Sequence, residues 1–214
     1  LIEYPEASIP IIGGNVSLYN ESQGQPIPPS PMIACIGRMP DAAKAVPFAF
    51  QKEESYIYHL GEWCETLAGS LLLESKNLPS PRIPDPDVAA IEKTSQTVIR
   101  LIEKDLVLAC HDVSDGGLAI ALAECCIAGN IGFNGTAPGL PTDATAPFGE
   151  FGGFVVEVPR QQVKSFDAVC ADNEIPANFL GKTGGGNFKL GSFIDLPLPK
   201  ITEAWENGLR NELD

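Results

Sequence analysis

The sequence is short of basic residues: 14 lysines and arginines stand against 28 aspartates and glutamates, a formal net charge of −14. So large an acidic excess opposes non-specific binding to nucleic acid and to anionic lipid, and both are excluded as main partners. Any CxxC pair is also missing. Most of the six cysteines, Cys35, Cys64, Cys110, Cys125, Cys126 and Cys170, read as buried thiols of a reducing compartment rather than as a zinc or redox site. There is no apolar run of membrane-spanning length and no recognisable signal peptide, so the chain reads as soluble and cytoplasmic. It begins at Leu1 with no methionine, within what reads as a loop before a strand, which suggests a piece of a longer protein. What remains is ordinary for a folded chain: 44% hydrophobic and 20% charged over 214 residues, enough for a sizeable core and for one domain plus part of another.

Chemistry concentrates in LVLACHDVSDGGLAIALA, Leu106 to Ala123. The apolar run Leu106 to Ala109 predicts a short strand that stops at His111 and Asp112. Ser114 and Asp115 are favoured N-cap residues, Gly116 and Gly117 permit close backbone approach, and Leu118, Ala121, Leu122 and Cys125 recur at helical spacing. A helix is therefore predicted from about Asp115. The unpaired amides of such a helix start lie at the positive end of its dipole and can hold an anion. Asp112 and Asp115 add hard oxygen donors suited to a magnesium ion already bound to phosphate. A plainer reading stands beside this one: a strand-to-helix junction whose aspartates cap the helix and whose glycines let it pack. Cys110 and His111 do not read as nucleophile and base, because consecutive strand side chains point to opposite faces.

Ile9 to Leu18, IPIIGGNVSL, reads as a strand with a glycine bulge or a point of close approach. Extended spacing puts Asn15, Ser17 and Tyr19 on one face, where Asn15 can offer a carbonyl to a metal and Ser17 a hydroxyl to a ligand; a bulge with a polar edge accounts for them equally. NESQGQPIPPSP, residues 20–31, reads as a linker with a boundary near Pro29. Strands are predicted over Met32–Met39 and Ser55–Leu60, and a helix over Trp63–Leu73. Asp87 is placed to cap a helix with an apolar stripe of Val88, Ile91, Ser95, Val98 and Ile102. Gly129 to Pro147 has no clear period and is a candidate lid. Glu150 reads as a ligand or as a solvated turn residue, ahead of the strand FVVEV. Gln161–Asp172 reads as an amphipathic helix with Val163, Phe166 and Val169 or Cys170 inward. GKTGGG at Gly181–Gly186 is not a P-loop, because Pro176 stands where the pattern needs glycine and three glycines replace the following helix. It reads as a hairpin turn between strands around Phe179 and Phe188, and Thr202 as the cap of a last helix through Trp205 and Leu209.

Four segments, IIGGNVSLYNES, HDVSDGGLAIALAE, FGE at Phe148–Glu150 and ITEAWENGL, together resemble subunit II of phosphoribosylformylglycinamidine synthase, the PurL family, in order and spacing along essentially the whole chain. HDVSDGGL alone is shared with enzymes that make aminoimidazole ribotide, selenophosphate and thiamine pyrophosphate; GGNVSLYNE is specific to this branch. The resemblance implies an α+β fold, a three-layer unit like the PurM C-terminal domain with a mixed sheet and helices, over residues 31–214. Residues 1–30 would be the tail of a second nucleotide-binding domain. It implies ATP-dependent conversion of formylglycinamide ribonucleotide to formylglycinamidine ribonucleotide in purine synthesis, with ammonia from a glutaminase subunit and with a small PurS-type subunit. ATP and magnesium are the implied cofactors: Gly14 against ATP, Asn15 on magnesium, Ser17 on the ribonucleotide, Asp112 on magnesium and Ser114 on a tightly held ADP. The family's catalytic histidines lie in a domain absent from this chain, so no catalytic residue and no activity of the chain alone are expected. Gly152 and Gly153 depart from the polar residues usual after FGE. A second class of function remains, a non-catalytic module whose turn holds ADP and magnesium permanently, or nothing, and which serves assembly. Apolar surface left by missing domains is expected to give a homodimer.

Overall fold

The computed structural model describes residues 10–15, 21–27, 32–63, 66–136, 145–150 and 152–213. The chain divides into two compact units, Leu1–Ala42 and Ala43–Asp214. In the first, strand β1 (Glu21–Ser22) pairs antiparallel with β2 (Gln25–Pro26). Gln23 and Gly24 between them take positive φ, 53° and 76°, the twist that a two-residue hairpin loop requires. The strands predicted over Ile9–Leu18 and Met32–Met39 do not form where the chain is described: residues 10–15 and 32–39 are irregular and exposed. An apolar run becomes a strand only where a neighbour takes up its N–H and C=O groups. Among the described residues no strand pairs with either run.

The second unit is built on a seven-stranded sheet among the described residues. Its strands are β3 (Tyr56–Leu60), β4 (Ala109–Asp112), β5 (Phe133–Gly135), β6 (Phe154–Val158), β7 (Ala177–Thr183), β8 (Asn187–Leu190) and β9 (Ile194–Pro197), in the spatial order β4-β6-β3-β7-β5-β8-β9. Pairing is antiparallel except between β5 and β8. The helices are α1 (Leu71–Ser75), α2 (Val88–Glu103), α3 (Gly117–Gly129), α4 (Thr145–Phe148), α5 (Val163–Asp172) and α6 (Leu198–Leu213).

Strand alternation divides the core. Ile57, Val155, Leu180 and Phe188 face α3, whose Leu118, Leu122, Cys125 and Cys126 are buried, and Leu198 of α6. Tyr58, Leu60, Val156 and Val158 face the other way, onto Val98 and Leu101 of α2 and Phe166, Val169 and Cys170 of α5. Three layers result, helices on both sides of a mixed sheet, and the α+β expectation holds. No helix among the described residues is long and apolar enough to cross a membrane.

Several local expectations give way to specific chemistry. Asp87 caps α2 as predicted, its Oδ1 accepting from Ala90 N at 3.0 Å. The buried face of α2, however, is Thr94, Thr97, Val98 and Leu101, while Val88 and Ile91 are exposed. The two threonines tolerate burial because their hydroxyls donate to the carbonyls of Ala90 and Lys93 one turn back. The turn at Gly184–Gly186 does not close a hairpin, because β5 lies between β7 and β8. Part of the segment read as a lid thus supplies a strand, and residues 137–144 lie outside the described residues. Between Trp63 and Leu73 the only described helical residues begin α1 at Leu71, with Ser70 Oγ accepting from Leu73 N. Helix α6 starts at Leu198, so Thr202 sits inside it and donates to the Leu198 carbonyl instead of capping.

Candidate functional site

The HDVSDGG segment runs from the end of β4 into α3. The ladder falls on Ala109–Asp112 rather than on Leu106–Ala109, although Leu106 and Val107 are buried as their character demands. Val113 N donates to the Gly153 carbonyl at 3.0 Å, adding one rung. Gly116 and Gly117 then turn the chain at φ of 81° and 72°, and Gly117 N donates to the Ser114 carbonyl at 2.9 Å. Gly116 is the N-cap residue of α3 and makes no side-chain cap bond; the exposed Ser114 and Asp115 do not cap it either, and the helix begins two residues later than expected. The acceptor comes from elsewhere: Glu150 Oε1 takes Gly116 N at 2.8 Å and Leu71 N at 2.7 Å. The chain's own carboxylate therefore stands at the amide end where the sequence suggests an incoming anion.

Asp112 ends β4 with its side chain 64% exposed, and its Oδ1 lies 3.2 Å from His111 Nδ1. The other ring nitrogen, Nε2, lies 3.0 Å from Glu124 Oε2 on α3, and the Phe48 ring meets the imidazole edge-on. His111 is thus held between two carboxylates. Both ring nitrogens face these carboxylates and neither faces Cys110; burial, with Asp112 second, pushes that thiol up to about 12, so the two do not pair as nucleophile and base.

Asp112 and Val113 also line a cleft of about 1000 Å³ walled by Trp63, Ile91, Gly152 and Gly153. Its charges are mostly acidic: Glu62, Asp85, Asp87, Asp112 and Glu174 against Lys93, whose ammonium pairs with Glu174 at 2.8 Å. Such a lining favours a ligand whose negative charge is masked by a divalent cation over a bare anion. Among the described residues no three His, Cys, Asp or Glu side chains gather closely enough to hold a metal. Magnesium at Asp112 would take most of its ligands from phosphate and water, its usual manner of binding, and one exposed carboxylate fits that role. Of the other sequence candidates, Ser114 is exposed on the turn, Gly14 and Asn15 are exposed in irregular backbone of the first unit, and Ser17 lies outside the described residues.

Behind Trp63 sits a residue that sequence reasoning missed. His59 on β3 is 3% exposed, stacks on Trp63 with centroids 4.7 Å apart, and places Nε2 3.4 Å from the Gly152 carbonyl. Trp63 lies only four residues on, but the Gly152 carbonyl that closes the site comes from 93 residues away, beyond what local pattern reveals. Burial pushes its pKa down from 6.5 to about 4, the Gly152 carbonyl offsetting part of the fall. The unfolded chain binds this proton more tightly, so the stabilising contribution is whole above pH 6.5 and is lost as pH falls toward 4. The loss reaches up to about 3 kcal/mol. Urea unfolding at pH 7 and pH 4.5 is expected to show a gap about 2 kcal/mol smaller in His59→Phe than in the parent; equal gaps would refute this.

Residues 52–191, from just before β3 to just past β8, match the family described as AIR synthase related protein, C-terminal domain. The chain belongs to this family. Its AIR synthase related domain contains the 112–117 turn, Glu150 and the cleft. The chain is 36% identical over 207 residues to the phosphoribosylformylglycinamidine synthase subunit PurL of Thermomicrobium roseum. It is 37% identical over 202 residues to the subunit of that name from Methylocella silvestris. Each alignment takes in 94% of this chain and 28% of the relative, so the chain spans less than a third of these relatives' length. Among solved structures, T. maritima PurL complexed with FGAR superposes with a TM-score of 0.63 at 13% identity, over 75% of this chain and 30% of that one. E. coli HypE, a hydrogenase maturation protein, superposes with a TM-score of 0.51 at 17% identity, over 73% of this chain and 55% of its own. At such identities the likeness speaks for the fold of the AIR synthase related domain.

Proposed function

We propose that this chain is the C-terminal part of an ATP-dependent phosphoribosylformylglycinamidine synthase, an amidine-forming C–N ligase of purine synthesis. The observation that carries the reading is the alignment with a curated PurL subunit across 94% of the chain at 36% identity. The substrate is then formylglycinamide ribonucleotide, the cofactors ATP and magnesium, and the partners a glutaminase subunit and a small PurS-type subunit, working in the cytoplasm. Structures of T. maritima PurL with ATP, with FGAR and in PurLQS support this assignment. Residues 1–30 are the tail of a nucleotide-binding domain and 31–214 the C-terminal domain. Asp112 holds magnesium and Ser114 contacts nucleotide; Gly14, Asn15 and Ser17 serve ATP, magnesium and the ribonucleotide, with further ligands from segments outside this chain. No residue of this chain takes a catalytic role, and the chain by itself is inactive. Exposed Ile11, Ile12, Met32 and Ile33 support self-association of the isolated chain as a homodimer.

The test is Asp112→Asn in the full-length synthase. A loss of turnover of at least about a hundredfold with unchanged melting is expected. One observation favours a second reading, a structural module that serves assembly: Glu150 already satisfies amides at the turn. Normal turnover with lowered stability in Asp112→Asn would decide for that reading.

A further inference from the structure

We propose that Glu150 is a positioning residue for the 112–117 turn, holding through one carboxylate oxygen the two backbone amides that set the turn against the wall of the cleft. This rests on the reading that Asp112 and Ser114 act at the turn. Residues 148–150 and 152–153 hold the turn at three points. A Cβ on Gly117 would lie 2.7 Å from the Gly149 carbonyl oxygen and 2.8 Å from the Phe148 carbonyl carbon, so the two backbones touch. The Gly153 carbonyl accepts from Val113 N at 3.0 Å, and Glu150 Oε1 accepts from Gly116 N at 2.8 Å.

The same oxygen accepts from Leu71 N at 2.7 Å, at the start of α1. The chain leading to α1 carries Trp63 and Thr66, both on the cleft wall. One atom therefore joins the turn that bears Asp112 and Ser114 to the segment that bears Trp63. What the two N–H groups require is an acceptor at that point, and a glutamine carbonyl oxygen placed there accepts as a carboxylate oxygen does. Aspartate, one methylene shorter, falls short of both amides. A metal-ligand role for residue 150 reverses this ranking, because it needs the carboxylate charge that aspartate keeps and glutamine lacks.

The experiment compares E150Q, E150D and E150A in the full-length synthase, by steady-state kinetics and by amide hydrogen exchange resolved at Leu71 and Gly116. E150Q is expected within about threefold of the parent in kcat/KM, and E150D and E150A down at least about tenfold. Exchange at both amides is expected to quicken in E150D and E150A and to stay slow in E150Q. A glutamine variant as impaired as the alanine variant, or unchanged exchange at Gly116 in E150A, would overturn the proposal. Quickened exchange with parent-like kinetics in all three would overturn the positioning role and leave the synthase reading to Asp112→Asn alone.

Discussion

Gly117→Ala destabilises the chain by about 2–5 kcal/mol in urea unfolding. Two costs add. At a φ of 72° an L side chain strains the backbone by about 1–2 kcal/mol. The new methyl would also meet three backbone atoms of Phe148 and Gly149 at 2.7–2.9 Å, none of which is the loose end of a side chain. Forcing such a contact apart costs about 1–3 kcal/mol more. Gly152→Ala separates the two, because Gly152 has a φ of 74° but no atom within 4 Å of the point where a methyl would stand. It is expected to cost only the first part. Equal losses in both variants would show that Phe148 and Gly149 do not press on the turn.

Glu157→Ala is expected to cost about 2–6 kcal/mol, by a different route. Glu157 lies on β6 with no exposed surface, and its Oε2 and Oε1 accept from the backbone amides of Gln51 and Lys52 at 2.6 Å and 3.0 Å. Burial raises its pKa, while these amides, Ser55 and Lys52 hold it down in part. Truncation leaves two amides without their acceptor, each at about 1–3 kcal/mol, in the stretch that leads into β3. Glu157→Gln keeps the shape but offers one acceptor oxygen, and its amide nitrogen confronts the second N–H. It should recover about half of the loss; full recovery would show that the second bond contributes nothing.

Much of the second unit's scaffold was legible in the chain. Strand β3, strand β6, helix α5 and the Asp87 cap follow from local periodicity and cap chemistry, because each depends on residues close together in the sequence. Glu150 and Glu157 were not legible as clamps, since their amide partners lie 34 to 106 residues away. The buried face of α2 was misread for a related reason: Thr94 and Thr97 look polar until their hydroxyls find the backbone one turn back. The turn motif announced Asp112 and its cleft-side neighbours, but not that a remote carboxylate would bind the Gly116 amide at the start of α3.

Strand β5 gives the sheet a mechanical seam. Four strands lie on one side of it and two on the other, and its three residues are the ladder that joins them. It is gripped at both ends, Gly184 N donating to Gly132 O and Gly191 N to Gly135 O, each at 2.7 Å. Its bonds to β7 are antiparallel and those to β8 parallel, the weaker kind per residue. A load drawing β9 away from β4 within the sheet would therefore tear along the line between β5 and β8, leaving five strands together on one side and two on the other.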